Sequence, residues 1–200
     1  WNVVKVASYD CGSLKMIKRL TDHFNEIIIS TGASFDHEIV ETSKYLNSIN
    51  FNFSLLHCVT IYPTPLNNLN LSRLNFLKQY SDKVGYSDHS LVKSDNLFAS
   101  KCAIYLGAKI IERHFTILGE KETKDGPVSI NPSHLKDLVN FSILDKDDQL
   151  KYLNNEIKNW KEIVMGKSDR TLSNIELLNR DYYKGRFAEK IGQNKYNFNW

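Results

Sequence analysis

Two short stretches, VGYSDH at residues 84–89 and IIERHFT at residues 110–116, decide the fold of this chain. Each is an apolar run that ends in a cluster of polar residues, and each cluster contains one histidine, His89 or His114. A helical segment, roughly residues 93–106, lies between them and closes on a glycine. This order predicts a β-α-β unit, in which a right-handed crossover makes the two strands parallel. The two histidines are therefore expected at the carboxyl ends of parallel strands, where α/β sheets and barrels carry their chemistry.

The same alternation of strand and helix runs through the first half of the chain. Apolar runs near residues 3–8, 26–29 and 53–59 precede the two decisive stretches, with helical patterns between them. The repeat is roughly 25–30 residues, the size of one unit in a barrel of about 250 residues. The sequence therefore predicts an α/β fold, a partial TIM (β/α)8 barrel of about the last five β-α units, with parallel strands. The first residue is Trp rather than Met, so we expect the chain to be part of a longer protein that supplies about three further N-terminal units.

The predicted barrel portion covers residues 1–165, and residues 166–200 are predicted to form a polar C-terminal extension or linker. The 200 residues carry a net charge of only +3, with Lys and Arg scattered along the chain. This pattern argues against nucleic-acid binding. The sequence has no apolar run of membrane-spanning length, so no membrane partner is predicted. Three widely spaced cysteines are read as reduced thiols, which predicts a cytoplasmic location.

Polar residues at the five predicted strand ends should converge on one face of the barrel. They are Lys5, Ser8, Asp10, Ser30, Thr31, Thr60, Tyr62, Ser87, His89, Glu112 and His114. A lysine with several serines forms a plausible phosphate cradle, and two neutral imidazoles leave open positions on a divalent metal. Asp10 could move protons and Tyr62 could orient a substrate oxygen. Taken singly, each residue also has a structural interpretation: Lys5 as a solvated cation, the serines as helix caps, and Glu112 as a partner of Arg113 or of an imidazole.

Taken together and in order, these motifs resemble the sialic acid synthase (N-acetylneuraminate synthase) family. The matching segments are KVASYD at 5–10, IISTG at 28–32, LLHC at 55–58 with YPTP at 62–65, GYSDH at 85–89 and ERHFT at 112–116. The resemblance implies a TIM barrel that condenses phosphoenolpyruvate with an N-acylated amino sugar such as N-acetylmannosamine. The implied products are a nine-carbon 2-keto acid (a nonulosonic, or sialic, acid) and phosphate, and the implied metal is Mn²⁺ or Mg²⁺.

The resemblance also implies roles for individual residues. His89 and His114 would be the metal ligands. Four residues would hold phosphoenolpyruvate, namely Lys5, Ser8, Ser30 and Ser87. Asp10 stands where the family commonly has an active-site Glu, and Tyr62 matches a substrate-contacting Tyr. Thr60, also expected to contact substrate, occupies a place where some members have Asn.

The sequence departs from the family pattern in the loop after the last strand and at its C-terminal end. The family loop usually reads Gly-Pro-Asp, but here Gly126-Pro127 runs directly into Val128, so that Asp125 is the candidate replacement for the acid. Many members end in a small antifreeze-like domain that reaches the partner's active site in a dimer. The chain after Gly166 is not expected to contain that domain and is interpreted as a linker or extension. The resemblance implies a homodimer as a candidate assembly.

The sequence leaves two other interpretations open. One is another metal-dependent aldolase-type barrel enzyme with a different carbonyl acceptor. The other is a non-catalytic barrel remnant that binds a sugar or phosphate ligand or acts as a scaffold, which the missing acid and strands favour. A catalyst should require a divalent ion at His89 and His114, whereas a remnant should not respond to one.

Overall fold

The computed structural model of the chain describes residues 1–169, 171–185, 189–193 and 195–197. Strands and helices alternate along its first half, as the sequence predicts. The strands are β1 (Val3–Val6), β2 (Glu26–Ser30), β3 (Asn52–Cys58), β4 (Val84–Asp88), β5 (Ile110–Arg113), β6 (Glu189–Gly192) and β7 (Lys195–Asn197). The helices are α1 (Leu14–Thr21), α2 (Asp36–Ser48), α3 (Arg73–Leu77), α4 (Val92–Asp95), α5 (Phe98–Tyr105), α6 (Pro132–Ser142), α7 (Lys146–Glu156), α8 (Trp160–Val164) and α9 (Asn174–Gly185).

The first five strands form one parallel sheet in the order β1-β2-β3-β4-β5. Successive strand residues point to opposite faces of a sheet. On one face, side chains such as Ile27, Ile29 and Leu55 are fully buried in the main hydrophobic core. The other face carries polar side chains, among them Lys5 and Glu112. The predicted parallel α/β fold is therefore confirmed.

The sheet is curved. Neighbouring strands lie about 4.8 Å apart, so four steps across a flat sheet would separate β1 from β5 by roughly 19 Å. The Lys5 ammonium on β1 nevertheless lies 3.1 Å from the Glu112 carboxylate on β5. The two edge strands can approach this closely only if the polar face is concave, as in one half of a barrel.

The helix predicted over residues 93–106 is two helices in the structure, α4 and α5. Asn96 and Leu97 between them have φ values of 44° and 62°, in the left-handed region. Two consecutive residues in that region cannot continue a right-handed helix. After α5 the chain turns through Gly107 at φ 92°, a conformation that glycine adopts at little steric cost.

The chain beyond β5 adds helices to the core and then contacts the loops that follow the first three strands. Trp160 of α8 is almost fully buried, with its ring edge-on to Phe98 and Tyr105. Residues 166–200, predicted as an extension or linker, include α9 and the antiparallel pair β6-β7. The domain boundary at residue 165 stays a prediction. Across the described ranges, the helices are all too short or too polar to cross a membrane.

The two edges of the sheet support a prediction about the chain in isolation. In the described sheet, β1 and β5 each pair on one side only. A groove of about 670 Å³ runs beside β5 and is lined mainly by apolar side chains, including Phe115, Leu138 and Val139. Open edges and exposed apolar surface favour self-association. We expect the 200-residue chain, expressed alone, to oligomerise or to be poorly soluble in size-exclusion chromatography with light scattering. A monodisperse monomer that unfolds cooperatively would contradict this expectation.

Candidate active site

The two histidines of the decisive stretches lie side by side. His89 directly follows β4 and His114 directly follows β5, so that both project from the carboxyl ends of neighbouring strands. Their ring centroids are 5.3 Å apart in an edge-to-face arrangement. His89 is buried, whereas the side chain of His114 is 39% exposed. The structure thus brings the two candidate ligands together at a boundary between protein and solvent.

His89 is held in its neutral form by its surroundings. The ring of Tyr62 packs on it with centroids 3.9 Å apart, and the Cys58 sulfur lies 3.8 Å from its Nδ1 atom. Burial, reinforced by the neighbouring His114, lowers the pKa of His89 to about 3. An imidazole that stays unprotonated keeps a lone pair available for a metal ion.

Asp125, the candidate replacement for the family's acid, lies beside His114. Its Oδ2 atom is 3.7 Å from Nδ1 of His114. Within the described ranges, no group of three or more His, Cys, Asp or Glu side chains is arranged to hold a metal ion. The site therefore contains two imidazoles and one carboxylate next to His114. A metal bound here would complete its coordination with water or substrate oxygens.

The predicted phosphate-binding groups Lys5 and Ser87 also lie together, but both contact Glu112. The Lys5 ammonium is 3.1 Å from Oε2 of Glu112 and donates a 3.0 Å hydrogen bond to the Val6 carbonyl. The Ser87 hydroxyl donates to Oε1 of Glu112 over 2.8 Å. Sequence reasoning considered Glu112 as a partner for Arg113 or an imidazole. In the structure its carboxylate instead joins the lysine and the serine across the concave face.

Cys58 and two serines complete this part of the site. The buried thiol of Cys58 lies near the side chains of Ser8 and Ser87, and burial raises its pKa to about 11. A protonated, buried thiol is a poor nucleophile. The Ser30 hydroxyl at the end of β2 is buried and has no hydrogen-bond partner. A buried hydroxyl without a partner carries a free-energy cost that a bound ligand would relieve.

The remaining predicted residues lie in the loops that follow β1 and β3. Asp10 ends a short 3₁₀ turn, Ser8–Asp10, and is half-buried. Thr60 is fully buried, and its carbonyl accepts a 2.7 Å hydrogen bond from the Asn179 side chain of α9. Tyr62 is 50% exposed, and burial of its phenol raises the pKa above its usual range, so that the hydroxyl remains a donor. The roles of these three residues stay predictions.

Comparison with known proteins is consistent with this arrangement. A profile of the NeuB family matches residues 1–147. The chain belongs to the NeuB family. It is 35% identical over 138 residues to the N,N'-diacetyllegionaminic acid synthase of Campylobacter jejuni, covering 67% of this chain and 40% of that protein.

Two solved structures show the same fold. One is the spore coat polysaccharide biosynthesis protein SpsE of Bacillus subtilis, with TM-score 0.70, 28% identity and coverage of 87% of this chain and 48% of that one. The other is the N-acetylneuraminic acid synthetase of Leptospira borgpetersenii, with TM-score 0.65, 26% identity and coverage of 93% and 58%. The NeuB chain thus spans between 40% and 58% of the lengths of these three relatives.

A buried ion pair behind the histidines was not predicted from the sequence. Asp88 and Arg113, each the residue before a candidate ligand, form an ion pair with almost no exposed side-chain area. The Asp88 carboxylate also accepts hydrogen bonds from the Ser90 amide, over 2.8 Å, and from the Ser100 hydroxyl. Because strand residues alternate, this pair faces the helices while the two histidines face the concave side.

Arg113 also connects β5 to the loop that contains Gly126 and Pro127. Its Nη2 atom donates to the carbonyls of Ser90 and Val128, each over 3.1 Å. Val128 ends the 3₁₀ turn Gly126–Val128, which directly follows Asp125. The pair therefore connects both strand ends to the loop that carries the candidate acid in this NeuB chain, and we expect Asp88 and Arg113 to position the candidate ligands.

The predicted phosphate-binding role of Lys5 can be tested by removing its charge. We expect Lys5→Ala to raise the KM for phosphoenolpyruvate in the complete protein roughly 10- to 100-fold, because a hydrogen bond to a charged group contributes about 1.5–3 kcal/mol. The KM for the sugar should stay within about twofold. Steady-state kinetics with each substrate varied in turn measure both values. Lys15→Ala, at an exposed position of α1, is the matched control. An unchanged KM for phosphoenolpyruvate would remove Lys5 from the phosphate site.

Proposed function

We propose that this chain forms part of the active site of a metal-dependent synthase that condenses phosphoenolpyruvate with an N-acylated amino sugar of the N-acetylmannosamine type. The products would be a nonulosonic acid and inorganic phosphate. The observation that carries the proposal is the placement of the adjacent rings of His89 and His114 on the same concave face as Lys5 and three serines. A cation with hydroxyl donors suits a phosphate dianion, and the imidazoles suit a divalent metal.

The relatives support the same class of reaction. The Campylobacter jejuni protein is a legionaminic acid derivative synthase and the Leptospira protein is an N-acetylneuraminic acid synthetase. Both products are nonulosonic acids. We extend that class to the complete protein to which this chain belongs, with the choice of sugar left to the experiment below.

The residues fit Mn²⁺ or Mg²⁺. His89 and His114 would hold the ion, and the Asp125 carboxylate lies beside His114. Ions of this type commonly keep several water ligands, which suits a site with few protein donors. When bound, the metal would polarise the aldehyde oxygen of the acceptor sugar as a Lewis acid.

The chain's own residues would hold and orient the two substrates. Lys5 and Ser87 would bind the phosphate once Glu112 releases them, and the unpartnered hydroxyl of Ser30 would add a third contact. Oriented in this way, the methylene carbon of phosphoenolpyruvate forms a bond to the aldehyde carbon of the sugar. Water then adds to the phosphate-bearing carbon, and phosphate leaves as the C–O bond breaks.

Proton transfers would fall to the two predicted catalytic residues. Tyr62 remains protonated beside His89 and can donate a hydrogen bond to a substrate oxygen. Asp10 would exchange a proton with the attacking water. Three buried cysteine thiols suit a reducing compartment, and we propose that the reaction takes place in the cytoplasm.

The test is phosphate release from phosphoenolpyruvate by the complete protein. A panel of N-acyl amino sugars would be supplied with Mn²⁺, with Mg²⁺ and with a chelator. We expect release that requires both a sugar and a divalent ion, and the sugar with the highest kcat/KM identifies the acceptor. Folded protein that releases no phosphate with any sugar would overturn the proposal and favour the non-catalytic binding interpretation.

A further inference from the structure

Helix α9 buries charged side chains against the barrel and exposes aliphatic side chains to solvent. Its charged residues Glu176 and Arg180 are only 1% and 8% exposed, whereas Ile175 and Leu178 are 54% and 71% exposed. A helix that serves only to cover a core buries its aliphatic stripe. The side chains that α9 turns inward are instead those that can bind polar groups.

Specific contacts fix α9 across the loops that follow the first three strands. The Arg180 guanidinium donates to both carboxylate oxygens of Glu38 and, over 2.6 Å, to the Ala33 carbonyl in the loop after β2. Asn179 donates to the Thr60 carbonyl after β3. Ser173 and Glu176 bond reciprocally at the start of the helix in the manner of a capping box. The carboxyl ends of these strands are where a parallel barrel carries its chemistry.

Tyr183, on the same inward side one turn after Arg180, brings an aromatic ring to this face. It stacks on Tyr9, which follows β1, with centroids 4.5 Å apart and an interplanar angle of 20°. Tyr62 packs on His89, and its phenol interacts electrostatically with the phenols of Tyr9 and Tyr183. Aromatic side chains therefore extend from the candidate metal ligands to α9.

We infer that α9 forms one wall of the acceptor-sugar site and that Tyr183 is a specificity-determining residue for the sugar. This inference rests on the proposed function. Lys5 and the serines hold the phosphate end, and the histidine pair with Tyr62 faces the acceptor aldehyde. The rest of the sugar then extends along the aromatic side chains towards Tyr9 and Tyr183. The C–H faces and N-acyl methyl group of an amino sugar are apolar surfaces that pack on such rings.

The experiment compares Tyr183→Ala, Tyr183→Phe and Leu178→Ala in the complete protein. Leu178 lies on the exposed side of the same helix and is the control. For Tyr183→Ala we expect the KM for the sugar to rise about five- to tenfold, which corresponds to the loss of about 1.0–1.4 kcal/mol of aromatic stacking energy. The KM for phosphoenolpyruvate should stay within about twofold. Tyr183→Phe, which keeps the ring, and Leu178→Ala should both retain the wild-type KM for the sugar.

The outcomes separate the inference from the proposed function. Active wild-type protein with an unchanged sugar KM in Tyr183→Ala would overturn the inference alone, as would equal changes in the KM of both substrates. Wild-type protein that releases no phosphate with any sugar would overturn the proposed function and the inference with it. Circular dichroism melts of each variant show whether a kinetic change reflects local loss of contact or unfolding.

Discussion

His89→Ala is expected to abolish metal-dependent phosphate release, lowering kcat/KM by roughly three orders of magnitude. A metal acting as a Lewis acid supplies several kcal/mol of transition-state stabilisation, and each ~1.4 kcal/mol is a factor of ten in rate. His114→Ala should have a similar effect, because the two rings adjoin and would share the ion. Activity assays over a range of Mn²⁺ concentrations provide the measurement, and calorimetric Mn²⁺ titration provides a readout that is independent of turnover.

His23→Ala is the matched control, because His23 is exposed just beyond α1. It should leave both activity and Mn²⁺ affinity unchanged. If His89→Ala and His114→Ala bound Mn²⁺ as tightly as the wild type, the histidine pair would not be the metal site.

Asp88→Ala should cost about 3–5 kcal/mol in the free energy of unfolding, because it leaves the Arg113 charge buried without its partner. The substitution also leaves the Ser100 hydroxyl and the Ser90 amide without their acceptor. Urea denaturation of the complete protein, followed by circular dichroism, measures the loss. Asp147→Ala, at an exposed position of α7, should change the free energy of unfolding by less than about 0.5 kcal/mol.

Arg113→Lys tests the positioning role separately from the charge. Lysine keeps the positive charge but cannot reproduce the forked contacts to Ser90 and Val128. We expect a smaller loss of stability than in Asp88→Ala, together with weaker Mn²⁺ binding, because the loop next to Asp125 and the end of β5 would lose their shared support. Mn²⁺ affinity equal to that of the wild type would restrict the pair to a purely structural role.

Local sequence patterns predicted the parallel strands and the positions of the two histidines, because apolar runs that end in polar clusters determine both. The break between α4 and α5 could not be predicted, since neither Asn96 nor Leu97 is a strong helix breaker. Asn adopts the left-handed region more readily than most residues, but Leu97, at φ 62°, has no such local preference.

The Asp88–Arg113 ion pair, the Lys5–Glu112 contact and the contacts of α9 all join residues that are distant in the sequence. Asp88 and Arg113 meet only because β4 and β5 pair in register. The role of Glu112 as a bridge to Lys5 requires the curvature that brings the two edge strands together. Helix α9 was predicted only as part of a polar extension, because polar side chains are normally exposed to solvent, whereas Glu176 and Arg180 are buried against the barrel.

The opposite orientation of adjacent residues at the ends of β4 and β5 has a consequence for exchanging segments between relatives. Deleting or inserting one residue in either strand would move an imidazole into the helical layer and a charged ion-pair partner onto the concave face. Chimaeric proteins that join two family members within residues 84–89 or 110–114 therefore need gap-free alignment at the junction. Junctions placed in the loops before these strands would tolerate differences in length and still deliver both histidines to the same side.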